Sequence, residues 1–195
     1  MANIMHKILK QQLEALSNKE VEALKVKQWS DESLTLEEVL LDGVMVNKIE
    51  QKRALEIYHE LYQEVISKGF QIFLTNMNIS FENCQLCKIY YDIGIIKAKD
   101  QYEVIKLVKT EAPNFDHTTE DIIEKIKSWA KYSKLQLTVV DNDRIEGLIL
   151  DKPKYIEKFA KEIYDFAPDV VEQGTLTKKV LVEDLKKGNF WLWWD

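Results

Sequence analysis

Residues 135–150 read Leu135-Gln136-Leu137-Thr138-Val139-Val140, then Asp141-Asn142-Asp143, then Arg144-Ile145-Glu146-Gly147-Leu148-Ile149-Leu150. Two apolar, β-rich runs flank a short polar turn, which is the arrangement of a β-hairpin rather than of a strand feeding a crossover helix. Helices and strands alternate irregularly on either side of it. The chain is therefore expected to be α+β, with a mixed or antiparallel sheet of about five to six strands packed with helices, and not a doubly wound parallel sheet.

Downstream, Tyr155, Ile156, Phe159, Ala160 and Ile163 recur at helical spacing, so residues 154–164 form an amphipathic helix with Pro168 beyond its end. A last helix over residues 178–186 leads through Gly188 into Phe190-Trp191-Leu192-Trp193-Trp194-Asp195. As a strand, that run is apolar on both faces, which predicts an interior strand over a stacking surface. Upstream, Glu120–Tyr132 and Asp100–Val108 read as helices with cap signals, Ile89–Ile96 and Phe70–Leu74 as strands, and residues 54–66 as a helix ended by Gly69. Ile4, Ile8, Leu9, Leu13 and Leu16 make residues 3–16 an amphipathic helix; Ser17 with Glu20 reads as a fresh capping box. Residues 21–29 fit a short helix or a strand, and Thr35–Leu41 reads as a short capped helix. The organisation expected is a helical N-terminal extension over residues 1–43 and an α+β domain over 44–195.

At 195 residues, with 46% apolar and 31% charged side chains, the chain has ordinary globular composition and enough length to bury a core. No apolar run reaches membrane-spanning length, and Lys7, Lys10 and Lys19 interrupt the first twenty residues, so a cytoplasmic location is expected. A net charge of −6 disfavours nucleic acid and anionic membrane as partners, because both are held through Lys and Arg, and is compatible with a basic protein. The acid is clustered. Residues 30–47 hold Asp31, Glu32, Glu37, Glu38 and Asp42, and residues 111–124 hold Glu111, Asp116, Glu120, Asp121 and Glu124, in each case without a Lys or Arg. Capping-box-like spacing of Thr35 with Glu38 and of Thr118 with Asp121, and first-turn acids, explain part of this; a partner surface made of Glu37, Glu38, Asp42, Glu120, Asp121 and Glu124 is the alternative.

Few combinations carry chemistry. Cys84 and Cys87 have zinc-knuckle spacing, but a structural zinc needs two further ligands and neither a second CxxC nor a His pair follows, so neither a metal nor a cofactor is expected. His6, His59 and His117 are scattered, and only His117, beside Asp116, has an acid–base neighbour. Phosphate-loop and EF-hand patterns are missing from the sequence, and no catalytic residue stands out.

Three stretches resemble a known signature: Tyr164-Asp165-Phe166-Ala167-Pro168-Asp169-Val170, then Gln173-Gly174, then Leu192-Trp193-Trp194-Asp195. They are similar to the mainly bacterial domain-of-unknown-function family number four-two-five-three, whose members commonly read Tyr-x-Phe-Cys-Pro-Asp, a Gln-Gly pair and a closing Trp-Trp-Asp. The stretch from Thr110 to Asp116 before the helix holding Trp129 is similar to another part of it, and the likeness runs from about residue 88 to residue 195. The resemblance names no reaction. Ala167 stands where the family often has cysteine, so a mechanism through that thiol is closed to this chain. Read physically, Pro168 stops a helix, Asp169 caps the next turn and Gly174 supplies a positive-φ corner; a catalytic Asp169 is the other reading.

Two functions follow as expectations. One is a non-catalytic binding protein, an immunity-type inhibitor that neutralises a basic toxin protein, for which the acidic runs suit electrostatic steering. The other is a small enzyme or ligand-binding domain with a polar pocket built from Asn114, Asp116, His117, Asp169, Gln173 and Trp193. Composition leaves the oligomeric state open.

Overall fold

The computed structural model describes residues 2–30, 35–82 and 86–195, with the side chains at 2–6, 82, 86 and 87 outside that description. Contacts divide the chain into two units, Met1–Val108 and Lys109–Asp195. Cys84, Asp31 and Glu32, and the side chains of Cys87, Ile4 and His6, lie outside the described residues.

The first unit is built from α1 (Ala2–Ser17), β1 (Glu22–Trp29), β2 (Leu36–Glu50), α2 (Gln51–Ser67), β3 (Phe70–Glu82), β4 (Leu86–Lys97) and α3 (Gln101–Val108). Its strands lie in the order β1-β2-β4-β3, and every neighbouring pair is antiparallel. Leu9 and Leu13 of α1 and Ala54, Ile57, Tyr58, Leu61 and Val65 of α2 are buried, and the two helices pack against one another and against the sheet. That is the stripe the helical spacing predicts. Lys68 ends α2, and Gly69 takes φ 79 just beyond it, a conformation that a Cβ would strain. Asp100 caps α3 as expected, its Oδ1 accepting the Tyr102 and Glu103 amides at 3.0 and 2.9 Å.

The short helix expected over Thr35–Leu41 does not form. Leu36–Asp42 is the outer reach of β2, with Trp29 opposite Leu36, Lys27 opposite Glu38 and Lys25 opposite Leu40. A segment this short has too few internal hydrogen bonds to repay helix nucleation, whereas pairing with β1 satisfies its backbone at once. Glu38, read as a capping-box acid, instead lies 3.2 Å from the Lys25 ammonium. Ser17 likewise starts no new helix: its Oγ accepts the Lys19 amide at 3.2 Å and the chain turns into β1. The strands expected at 70–74 and 89–96 are the inner parts of one long β3–β4 hairpin, in which Phe81 stands opposite Cys87.

The second unit contains α4 (Thr119–Ser128), β5 (Leu135–Val140), β6 (Arg144–Ile149), α5 (Ile156–Phe166), α6 (Lys178–Lys186) and β7 (Asn189–Trp193). The hairpin read from residues 135–150 is present, and β7 adds antiparallel to β6. Seven strands are therefore described in all, more than the five to six expected, because β1 and β2 occupy the stretch read as helical or undecided. The fold is α+β, antiparallel within each unit, and begins with a helix. Among the described residues, no helix is long and apolar enough to cross a membrane.

Candidate functional site

The corner after α5 is where the second unit gathers its polar side chains. Phe166 ends the helix, the Ala167 amide still reaches the Ile163 carbonyl at 2.8 Å, and Pro168 cannot continue the pattern. Residues 170–175 then wind as a π-helical turn, closed by the Leu176 amide on the Val171 carbonyl at 2.8 Å. The left-handed residue here is Leu176, φ 63, and not Gly174, which corrects the positive-φ reading of the Gln-Gly pair. Gly174 is needed for a different reason: a Cβ on it would stand 2.2 Å from Cη2 of Trp191. The signature glycine thus makes room for Trp191, just ahead of the closing signature stretch on β7.

Asp169 does not cap that turn with its side chain. Its carboxylate is buried, 6% exposed, and faces the end of the chain: Oδ2 accepts the Asp195 amide at 2.9 Å and Oδ1 accepts Nε2 of Gln173 at 3.1 Å. Asn114 Nδ2 donates to the Asp195 backbone oxygen at 2.8 Å. The Trp194 indole donates to the Phe166 carbonyl at 3.2 Å, and His117 Nε2 lies 3.1 Å from the same oxygen. That distance fits the tautomer with the proton on Nε2. The His117 ring stacks on Phe166, with centroids 4.2 Å apart.

The three segments expected to meet do meet, then, and they do so by bonding to one another. Asn114 and Asp169 bond Asp195, Trp194 and His117 share the Phe166 carbonyl at the end of α5, and Gln173 bonds Asp169. Asp116 is exposed, in the left-handed conformation just before the backbone bridge between Ala112 and His117. Trp193 lies on the other side of β7 from Phe190, Leu192 and Trp194, which are buried, while Trp191 and Trp193 are half-buried. β7 is an edge strand, not the interior strand its apolar faces suggest. Its second face is partly covered instead by Gly174 and by the Arg144 guanidinium, 5.6 Å from the Trp191 ring.

Beside this clasp lies the Asp141-Asn142-Asp143 turn. The Trp194 amide donates to the Asp143 carbonyl at 3.2 Å, and the Thr110 hydroxyl to the Asp141 carbonyl at 2.7 Å. Burial, and then the neighbouring Asp141 carboxylate, push the Asp143 carboxyl up to about 6. A second polar centre, Glu162 on α5, escaped sequence reasoning. It accepts from the Tyr132 hydroxyl at 2.6 Å, from the Trp129 indole at 3.1 Å and from Lys131 at 3.1 Å. Burial raises its pKa, but the hydrogen bonds from Tyr132 and Lys131 outweigh that and hold it at about 2. The signal for it was Trp129, fully buried, whose N–H had to find an acceptor.

The acids singled out in the sequence are all exposed, Glu37, Glu38 and Asp42 on β2 and Glu120, Asp121 and Glu124 on α4. Thr118 and Asp121 form the capping box expected of them, and hydrogen bonds from Thr118 hold the Asp121 carboxyl below its ordinary range. Among the described residues, no group of three or more His, Cys, Asp or Glu side chains is placed to hold a metal.

A protein-family model described as "Domain of unknown function (DUF4253)" matches residues 92–195. Neither the curated proteins nor the solved structures contain a match.

Proposed function

We propose, for a chain that belongs to the DUF4253 family, a non-catalytic role: a bacterial cytoplasmic binding protein of the immunity type, which neutralises a basic toxin by covering it. One observation carries the reading. The polar residues of the signature are spent on one another in the clasp, while the clustered acids on β2 and on α4 face solvent. Exposed carboxylates on an acidic chain create a field that speeds the approach of a cationic partner more than it deepens the final complex. Each unit carries its own acidic edge, and either one can supply the steering.

The test is capture of the product of the neighbouring gene, followed by association rates at low and high salt. Glu37→Gln, Glu38→Gln, Glu120→Gln and Glu124→Gln together should leave the melting temperature nearly unchanged, as surface substitutions usually do, and slow association severalfold. An acidic partner, or association indifferent to salt and to the four substitutions, overturns the reading.

A further inference from the structure

The first unit holds a feature that the acidic reading does not use. On an acidic chain, a cavity of about 280 Å³ is lined by three lysines, Lys25, Lys27 and Lys48, together with Asn76, Tyr90 and Asp92. Two β-bulges make it. The β2–β4 register shifts between Val46 and Ile49, and the β3–β4 register shifts between Thr75 and Asn78. Each bulge contains a non-glycine residue in the left-handed conformation, Lys48 at φ 53 and Asn76 at φ 49. Bulges and left-handed non-glycine residues cost stability and gather where a side chain has to be re-aimed.

Asp92, on the strand between the two bulges, holds both in place. Its Oδ1 accepts the Lys48 amide at 2.7 Å and its Oδ2 accepts Asn76 Nδ2 at 2.9 Å; the same Nδ2 reaches the Lys25 carbonyl at 3.2 Å. The carboxylates of the wall are thus already engaged, Asp92 by the bulges and Glu38 by Lys25. Lys25 is therefore paired, and two lysines remain. Among the described residues, no carboxylate pairs with Lys27 or Lys48, and the Lys48 ammonium lies 5.5 Å from the centre of the Tyr90 ring. Asn76 Oδ1 is buried and receives no donor from the described residues. A buried acceptor without a donor is costly to keep.

We infer that this cavity is a binding site for a small organic anion, a carboxylate or phosphate that also carries a hydroxyl or amino donor. The anionic group meets Lys27 and Lys48 in charge-assisted hydrogen bonds, and the donor serves Asn76 Oδ1. The volume is at the low end of small-ligand sites, which excludes a bulky ligand. A polyanion is disfavoured as well, because the exposed Glu38 stands in the same wall and would face the continuation of its backbone.

The experiment is a titration of isotope-labelled full-length protein with malate, glycerol phosphate and inorganic phosphate, followed by amide chemical shifts. Saturable shifts centred on Lys48, Asn76, Asn78 and Tyr90 are expected with malate or with glycerol phosphate, and whichever binds more tightly identifies the anionic group. Lys27→Gln with Lys48→Gln should weaken that binding about tenfold or more, whereas Lys158→Gln with Lys179→Gln, which removes the same charge elsewhere, should leave it unchanged. All four lysines are exposed, so both variants should fold. The inference fails if neither organic anion saturates, if inorganic phosphate binds as tightly as both, or if the two lysine pairs have equal effects.

Discussion

Asp169 separates a structural signature from a functional one, and its removal has a size that can be worked out. Its buried carboxylate accepts two hydrogen bonds, from the Asp195 amide and from Gln173. Bonds to a charged acceptor contribute about 1.5 kcal/mol each or more, and Asp169→Ala leaves both donors without an acceptor in a crowded corner, so a loss of about 3 kcal/mol is expected. Asp169→Asn keeps one acceptor oxygen and the volume, and should lose about half of that. In a chain of this length, the alanine variant should melt roughly 6–12 °C below the parent. Urea unfolding followed by tryptophan fluorescence gives the free energies, and scanning calorimetry gives the temperatures. Ranked losses, alanine greater than asparagine, with partner binding retained below the transition, are the result expected of a clasp. An alanine variant within about half a kilocalorie of the parent would refute the reasoning and return Asp169 to the catalytic reading.

Two further outcomes follow from the same corner. Gly174→Ala places a Cβ on the Trp191 ring and should cost about 1–3 kcal/mol in urea unfolding, as overpacked sites do; an unchanged midpoint would mean that the ring moves aside freely. Asp143, whose carboxyl is raised to about 6, favours the folded state fully only below its unfolded pKa near 4, and that contribution is lost as pH rises through 6. Asp143→Asn should therefore be more stable than the parent by about 1–2 kcal/mol at pH 7.5 and nearly equal to it at pH 4, as read from melting across that range.

The sequence was most legible where one local signal faced no competitor. The hairpin at 135–150, the α2 stripe ended by Gly69 and the Thr118–Asp121 capping box each rest on a pattern within a few residues, and each is present. It was least legible where local and long-range pairing compete. Thr35 to Leu41 has a cap-like spacing, but β1 offers its backbone a partner that no window of the sequence can display. The candidate site divides in the same way. The sequence grouped Asn114, Asp116, His117, Asp169, Gln173 and Trp193 as a pocket, whereas Asn114 and Asp169 bond Asp195, His117 lies on the Phe166 carbonyl and Gln173 bonds Asp169. The roles of individual residues could not be read, because Gly174 answers to a ring in β7 and Asp169 to an amide at the end of the chain.

The lysine-lined cavity was hidden for a related reason. Lys25, Lys48 and Asp92 are unremarkable apart, and only the two bulges on either side of β4 turn scattered charges into one wall. Net charge misleads in the same place, since an overall −6 is a statement about the approach of distant partners and sets no limit on the sign of a local site. An acidic exterior and a basic cavity are therefore compatible in one unit. The exterior would act on the encounter with a partner and is screened by added salt, whereas the cavity would act at hydrogen-bond distance through Lys27 and Lys48, with which no carboxylate pairs among the described residues.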